Sequence, residues 1–566
     1  MMKKTSLLLL VVAVLMSSCS SKMKTVSAEY FTVTPSVLEV VGSEIPVTID
    51  GKFPAKFFNK NSVLTITPVL KYEGGEALAE PVTFQGEKVR GNDRAISYED
   101  GGTFRMKMQY GYVPAMEDAE LYLRFDVAKG NKTYTIPEVK IADGCVATSQ
   151  LYRRTAAMAN IAVGEDAFQR VIKQAKEANI MFLIQQTNLR TSELNSTSMT
   201  ELREALKDVA TDFENKVLED IKISAFASPD GGMSLNDGIA VERERNTANY
   251  MKNELKKVKL EGLVESEYTA EDWDGFKELV AQSTLPDKDL ILRVLSMYTD
   301  PEERELQIKN ISTVYSELAD EVLPKLRRAR VTLNYQIIGR SDDEIIAQYA
   351  ADPNKLSLEE ILYMTILTED EAEKISIYNT AIELYPNDYR AYNNLGVIAF
   401  RKADYETAAD YFAKAESVDA AAPEVMINLG YLELLKGNVD EAEAYIAKGA
   451  GSKAGDEALG NLYIAQGKYD AAAALLEGSK TNSTLLAHVL VENYVEARET
   501  LEAIKNPDAV THYIKAVLGA RTNNVVLLYD GLKEAISLEP ELAQKAKVDL
   551  EFAKFANTET FLDILK

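Results

Sequence analysis

Asn394-Leu395-Gly396 returns 34 residues later as Asn428-Leu429-Gly430, and the positions behind the two glycines keep step. Ala408 and Ala442 fall at one shared offset, Phe412 and Ile446 at the next, then Ala415 and Gly449. A third round opens at Leu459-Gly460 after only 30 residues, with Tyr463, Ala472 and Leu476 in register. Ala381 with Pro386 fits the second half of an earlier unit, and Ala535 with Pro540 a late one. Small residues at fixed offsets let paired helices approach, and larger ones between them fill the gap. Agreement at several positions over three rounds makes chance a poor rival. Residues 480–525 fit the pattern weakly, so four or five units with atypical ends are expected over residues 345–566.

This pattern resembles the tetratricopeptide repeat. The resemblance implies an α-solenoid whose groove takes a protein partner, presented as a helix or an extended peptide.

Upstream, residues 171–340 alternate strand and helix signals. Ile180-Met181-Phe182-Leu183-Ile184 reads as a buried strand, and residues 199–217 place Leu202, Leu206, Val209, Phe213 and Val217 at helical spacing. Ile221-Lys222-Ile223-Ser224-Ala225-Phe226 is a second strand, and residues 330–335 a late one. Between the second strand and a charged helix lies Ser228-Pro229-Asp230-Gly231-Gly232. Taken alone, this is a turn signal. An α+β unit with helices on a small sheet is expected.

With its flanks, the stretch resembles the OmpA-like peptidoglycan-binding domain. Gly231, Asn236, Ile239 and Arg243 keep the spacing of that family's central motif, and Tyr250-Met251 matches the apolar pair ending its helix. Arg328-Ala329-Arg330-Val331 resembles the closing motif, with Arg330 as the retained arginine. Residues 256–323 read as a helical insertion that packs Trp273 and Phe276 inside itself. The resemblance implies a site for the zwitterionic end of diaminopimelate, where a carboxylate meets the ammonium and a guanidinium forks onto the carboxylate. Arg243 stands at the arginine position. The aspartate position holds Ser228, which accepts a hydrogen bond without neutralising charge. Asp230 is the nearest substitute. Candidate peptidoglycan-binding residues are therefore Arg243, Asp230, Ser228, Asn236 and Arg330.

Residues 28–147 alternate apolar and polar positions, as in Val63-Leu64-Thr65-Ile66-Thr67 and Thr103-Phe104-Arg105-Met106-Lys107-Met108. Lys129-Gly130-Asn131-Lys132 separates two such runs and signals a hairpin. An all-β sandwich serving packing, spacing or docking is expected. Residues 148–170 read as a linker.

At the N-terminus, Lys3 and Lys4 precede an apolar run from Leu7 to Met16, too short to span a bilayer. Met16-Ser17-Ser18-Cys19 then resembles a bacterial lipobox. It implies a signal peptide over residues 1–18, lipidation of Cys19 and a tether over 19–27. No aspartate follows Cys19 directly and no acidic run follows it, so a periplasm-facing outer-membrane lipoprotein is expected. The chain of 566 residues carries 88 acidic against 63 basic residues, a net charge of -25, which disfavours nucleic acid as a partner. Two cysteines and two histidines, His488 and His512, argue against a His/Cys metal site and a disulfide framework. No cofactor is expected. Cys145 is expected to be a small buried residue. No catalytic constellation stands out.

The expected molecule is thus multidomain: a β-sandwich, an α+β OmpA-like domain with a helical insertion, and a repeat solenoid. The arrangement resembles tetratricopeptide lipoproteins of Bacteroidota envelopes. Its expected function is non-enzymatic, linking outer membrane to cell wall while the repeats hold a protein partner. The alternative is an envelope assembly or secretion scaffold whose OmpA-like domain has lost its ligand.

Overall fold

The computed structural model describes residues 26–285, 288–310 and 312–566. Cys19 lies outside them. The described residues form two compact units, residues 26–165 with Tyr378–Lys566 and, separately, Asp166–Ile377.

In the first unit, two sheets face each other. One is the antiparallel trio Phe31–Thr34, Glu44–Phe53 and Gly102–Gly111. The other runs from Val37–Glu39 through Lys132–Val146, Ala119–Lys129, Val63–Tyr72 and Val82–Gly86 to Arg94–Ile96, with Gly75–Leu78 also on Val63–Tyr72. Alternation decides what is buried: Ile45, Val47, Ile49 and Phe53 from the first sheet meet Leu121, Leu123, Phe125 and Val127 from the second. The Phe104 ring lies tilted at 5.1 Å from Phe53 and 4.6 Å from Phe84. It needs Gly51 opposite it, where a Cβ would lie 2.1 Å from the ring. Gly130 turns the hairpin at φ 56°. Cys145 is buried and free, its thiol pushed up to about 12 by burial and by Glu117 nearby.

The rest of this unit is helical. Helix pairs run Tyr389–Arg401 with Tyr405–Val418, Pro423–Lys436 with Val439–Lys448, Gly455–Ala465 with Tyr469–Leu475, Asn482–Leu490 with Tyr494–Ala503, and Ala509–Arg521 with Val525–Leu538. The stretch 480–525, weak in sequence, therefore folds as regular pairs. A Cβ on Gly396, Gly430 or Gly460 would lie 2.5, 2.6 and 2.6 Å from Phe412, Ile446 and Leu476. Each glycine lets the second helix of its pair close in, and Ala408, Ala442 and Ala472 are fully buried at the same contacts.

The predicted linker is corrected. Thr148–Leu151 and Tyr152–Ala157 are short helices, a turn follows at 158–159, and residues 160–165 continue without regular secondary structure. Leu151, Tyr152, Ala156, Ile161 and Ala162 belong to the apolar core of the repeats. The segment lies on the first helices of successive pairs. It looked like a linker because its composition is mixed and it has no clear period.

The sandwich docks on the same repeats. Ser149 Oγ and Tyr469 Oη both donate to the Val40 carbonyl, at 2.9 and 3.2 Å, and Lys545 pairs with Glu117 at 3.0 Å. A docking role for the sandwich thus has its surface within the chain itself.

The second unit holds a four-stranded sheet in the order Val171–Met181, Arg328–Ile338, Lys216–Phe226, Leu263–Thr269. The last two strands are parallel and the other pairings antiparallel. Helices Thr197–Thr211 and Met233–Val258 cover one face, burying Met199, Leu202, Leu206, Met251 and Leu255 against Ile180, Ile221, Ile223, Val331 and Leu333. Four expectations change. The first strand spans 171–181, not 180–184. The helix read over 199–217 ends at Thr211, leaving Phe213 70% exposed and Val217 in the next strand. The insertion is narrower than 256–323, because Leu263–Thr269 is a sheet strand and Met233–Val258 reaches past residue 256. Helices Asp342–Ala351 and Leu358–Met364, placed by sequence in the solenoid, belong to this unit. The shortened insertion keeps its own core around Trp273, Phe276, Ile291 and Leu326.

Candidate ligand pocket and repeat groove

Three chain segments meet at one end of the four-stranded sheet: residues 182–186, the turn 227–236, and Arg327 just before the strand Arg328–Ile338. They enclose a pocket of about 40 Å³ lined by Ser228, Asp230, Asn236, Ile239, Arg243 and Arg327. That is room for a few water molecules.

The turn holds its shape through Asn236, whose Nδ2 donates to the carbonyls of Ser228 at 3.1 Å and Gly231 at 2.8 Å. Asn236 opens the buried stripe of the helix, continued by Ala240, Arg243, Thr247 and Met251 at helical spacing. Arg243 is 1% exposed. Its Nη1 donates to Phe226 O at 2.7 Å, its Nε to Gln186 O at 3.0 Å, and its Nη2 to Leu183 O at 3.3 Å. The guanidinium also lies 4.8 Å from the Phe182 ring. Burial, reinforced by Arg327, pulls its pKa down to about 10 against the opposing pull of Asp230. Arg243 therefore pins the ends of two strands to the helix, and its bidentate edge is spent on main-chain carbonyls.

Asp230 is also engaged. Arg327 Nη2 donates to its Oδ2 at 2.8 Å, and Arg327 Nε to Ser228 Oγ at 3.1 Å. Ser228 Oγ donates to the other carboxylate oxygen of Asp230. The pair is only 12% and 14% exposed, so water screens it weakly. Of the five residues singled out by sequence, Ser228, Asp230, Asn236 and Arg243 share the pocket. Arg330 does not join them. It sits within its strand, opposite Asn179 and Ser224, on the face away from the buried Ala329 and Val331. The pocket arginine that sequence reasoning missed is Arg327, three residues earlier.

The groove presents a different chemistry. Asn394 clamps Gly164 from both sides, its Oδ1 accepting from Gly164 N at 2.8 Å and its Nδ2 donating to Gly164 O at 2.9 Å. Asn428 does the same to Ala162, at 2.8 and 2.7 Å, and Asn393 adds a donor to Ala162 O at 3.0 Å. Asn461 Oδ1 accepts from Thr155 Oγ1 at 2.6 Å. Glu457 accepts from the main chain and side chain of Asn160. Asn393, Asn428 and Asn461 are fully buried. Main-chain groups bonded this way lose little of what water offered them. The groove expected to stand open for a partner is filled by residues 152–165 of its own chain.

Among the described residues, no three metal-ligating side chains cluster and no helix is long and apolar enough to cross a membrane.

These features define a protein with an N-terminal β-rich region and a C-terminal helical solenoid built for protein–protein contact. The C-terminal region carries tetratricopeptide repeats: that family's models match residues 377–409 and 404–457. No curated protein matches the chain. Similar solved structures include PilF of Pseudomonas aeruginosa, at 15% identity and a TM-score of 0.26 over 34% of this chain and 94% of that one. PilW, a widely conserved type IV pilus biogenesis factor, gives 14% and 0.27 over 36% and 97%. Yeast Tom70 gives 13% and 0.24 over 65% and 84%. At TM-scores this low, the likenesses carry no inference about this chain.

Proposed function

We propose that the protein is a non-enzymatic envelope scaffold, anchored in the outer membrane through a lipid on Cys19 and facing the periplasm. Its α+β unit is read as OmpA-like, with the peptidoglycan stem replaced by an internal arginine. The alternation of strands and helices, with the last strand threaded between the first two in the sheet, supports the OmpA-like reading. The observation that carries the function is the Asp230–Arg327 pair at 2.8 Å. The carboxylate that would meet a ligand's ammonium already holds a guanidinium. An incoming stem must displace a partner whose effective concentration is set by the chain itself, on the order of millimolar or more.

Co-sedimentation with purified peptidoglycan tests this reading, using the chain from residue 26 onward. The unmodified protein is expected to stay in the supernatant. Arg327→Ala, which releases Asp230 and Ser228, is expected to pellet more than the parent. Pelleting of the unmodified chain would contradict the scaffold reading and favour a wall tether, for which Asp230, Asn236 and Arg243 lining one pocket is the supporting observation. For the anchor, Cys19→Ala is expected to abolish labelling by a fatty-acid probe and to leave the membrane fraction. Full retention without label would contradict it.

A further inference from the structure

We propose that residues 152–165 are a built-in ligand of the repeat groove and keep it closed to protein partners. The contacts are those of a bound peptide. Asn394 and Asn428 each grip one residue through both main-chain groups, and the gripped residues, Gly164 and Ala162, are two apart, as an extended segment presents them. Between them Val163 points out, 41% exposed, while Ile161 and Ala162 are buried at 4% and 5%. The groove thus grips main chain at residues 162 and 164, both with small side chains, and takes the Ile161 side chain beside them. A Cβ on Gly164 would come within 3.0 to 3.2 Å of Arg390, so a larger residue there meets the wall. Polar contacts lie at both ends: Arg390 Nη1 donates to Glu165 O at 3.3 Å, Lys453 meets the Glu165 side chain at the surface, and Arg154 pairs with Glu539 at 2.5 Å.

The strap is also covalently held near its site. It follows the sandwich strand Lys132–Val146, and Gln150 Nε2 donates to Gly42 O in that sandwich at 2.8 Å. A free peptide of the same sequence competes against this tethered copy and is suppressed by roughly a hundredfold or more. The inference does not depend on the peptidoglycan reading, because every group involved belongs to the sandwich and repeats.

The test uses the full chain and a fluorescein-labelled peptide of residues 152–165. The unmodified protein is expected to take up the peptide at least roughly a hundredfold more weakly than a chain carrying Ile161→Asp and Ala162→Arg, which ejects the strap. Adding Asn394→Ala and Asn428→Ala to the ejected chain is expected to abolish the uptake. Equal uptake by the unmodified and ejected chains would overturn the proposal. So would absence of uptake by an ejected chain that keeps the parent's helical circular dichroism. Should the ejected chain lose its helical signal, trypsin decides on the unmodified protein. Resistance at Arg153 and Arg154 supports a seated strap, and cleavage there at the rate of an unstructured peptide overturns it.

Discussion

Arg243 was legible as a special residue, but its chemistry was not. Its spacing from Asn236 singles it out in the sequence. What its guanidinium touches depends on the carbonyls of residues 183, 186 and 226, contributed by two stretches of chain distant in sequence from the helix. Arg243→Lys tests the structural role. One ammonium cannot span three diverging carbonyls, and hydrogen bonds to a charged group contribute about 1.5–3 kcal/mol. Chemical denaturation is expected to show a loss of about 3 kcal/mol, and an unchanged midpoint would contradict the assignment. Arg327 was invisible for a simpler reason: its partner Asp230 lies 97 residues away. Glu457 gives a pH-dependent prediction. Burial raises its pKa above the ordinary value, against hydrogen bonds from Asn160, Ser483 and Thr481. The folded state therefore favours the protonated acid, and stability falls as pH rises from the ordinary glutamate value through the raised one. Glu457→Gln removes the cost of the buried charge. Its melting temperature relative to the parent is expected to rise between pH 4 and pH 7. A constant or falling difference would contradict a raised pKa.

At the scale of elements, the repeats were the most readable part. Asn-Leu-Gly encodes two things at once. Gly396 and Gly430 permit close helix approach, and Asn394 and Asn428 grip the strap. The first meaning follows from the period, whereas the second requires knowing what lies in the groove. Ala442→Leu is expected to overpack its helix pair and cost about 1–3 kcal/mol, read as a lower denaturation midpoint. An unchanged midpoint would contradict tight packing there. The strand Leu263–Thr269 was hidden inside an apparent insertion because its sequence, Leu-Val-Glu-Ser-Glu-Tyr-Thr, is an exposed edge with little apolar content. Charged side chains on such an edge discourage pairing with other chains. The ends of helices and strands moved by several residues throughout, because tertiary contacts decide where a periodic pattern stops.

Over the whole molecule, sequence reading saw a string of domains, and the chain is organised otherwise. The first compact unit joins sequence from both ends, with a strap whose asparagine partners are 230 to 306 residues away. No local pattern announces such a contact, since Tyr152, Ala156, Ile161 and Ala162, which mark it, follow no helical or strand period. Asp230 is paired with Arg327, and the repeat asparagines hold residues 162 and 164, in both cases from within the chain. Hydrogen exchange followed by mass spectrometry on the unmodified chain tests this most directly, at the amides of Ala162 and Gly164. If Asn428 and Asn394 hold these amides, they exchange as slowly as the buried repeat helices, through openings that approach global unfolding. Exchange at the rate of an unstructured peptide would contradict the account.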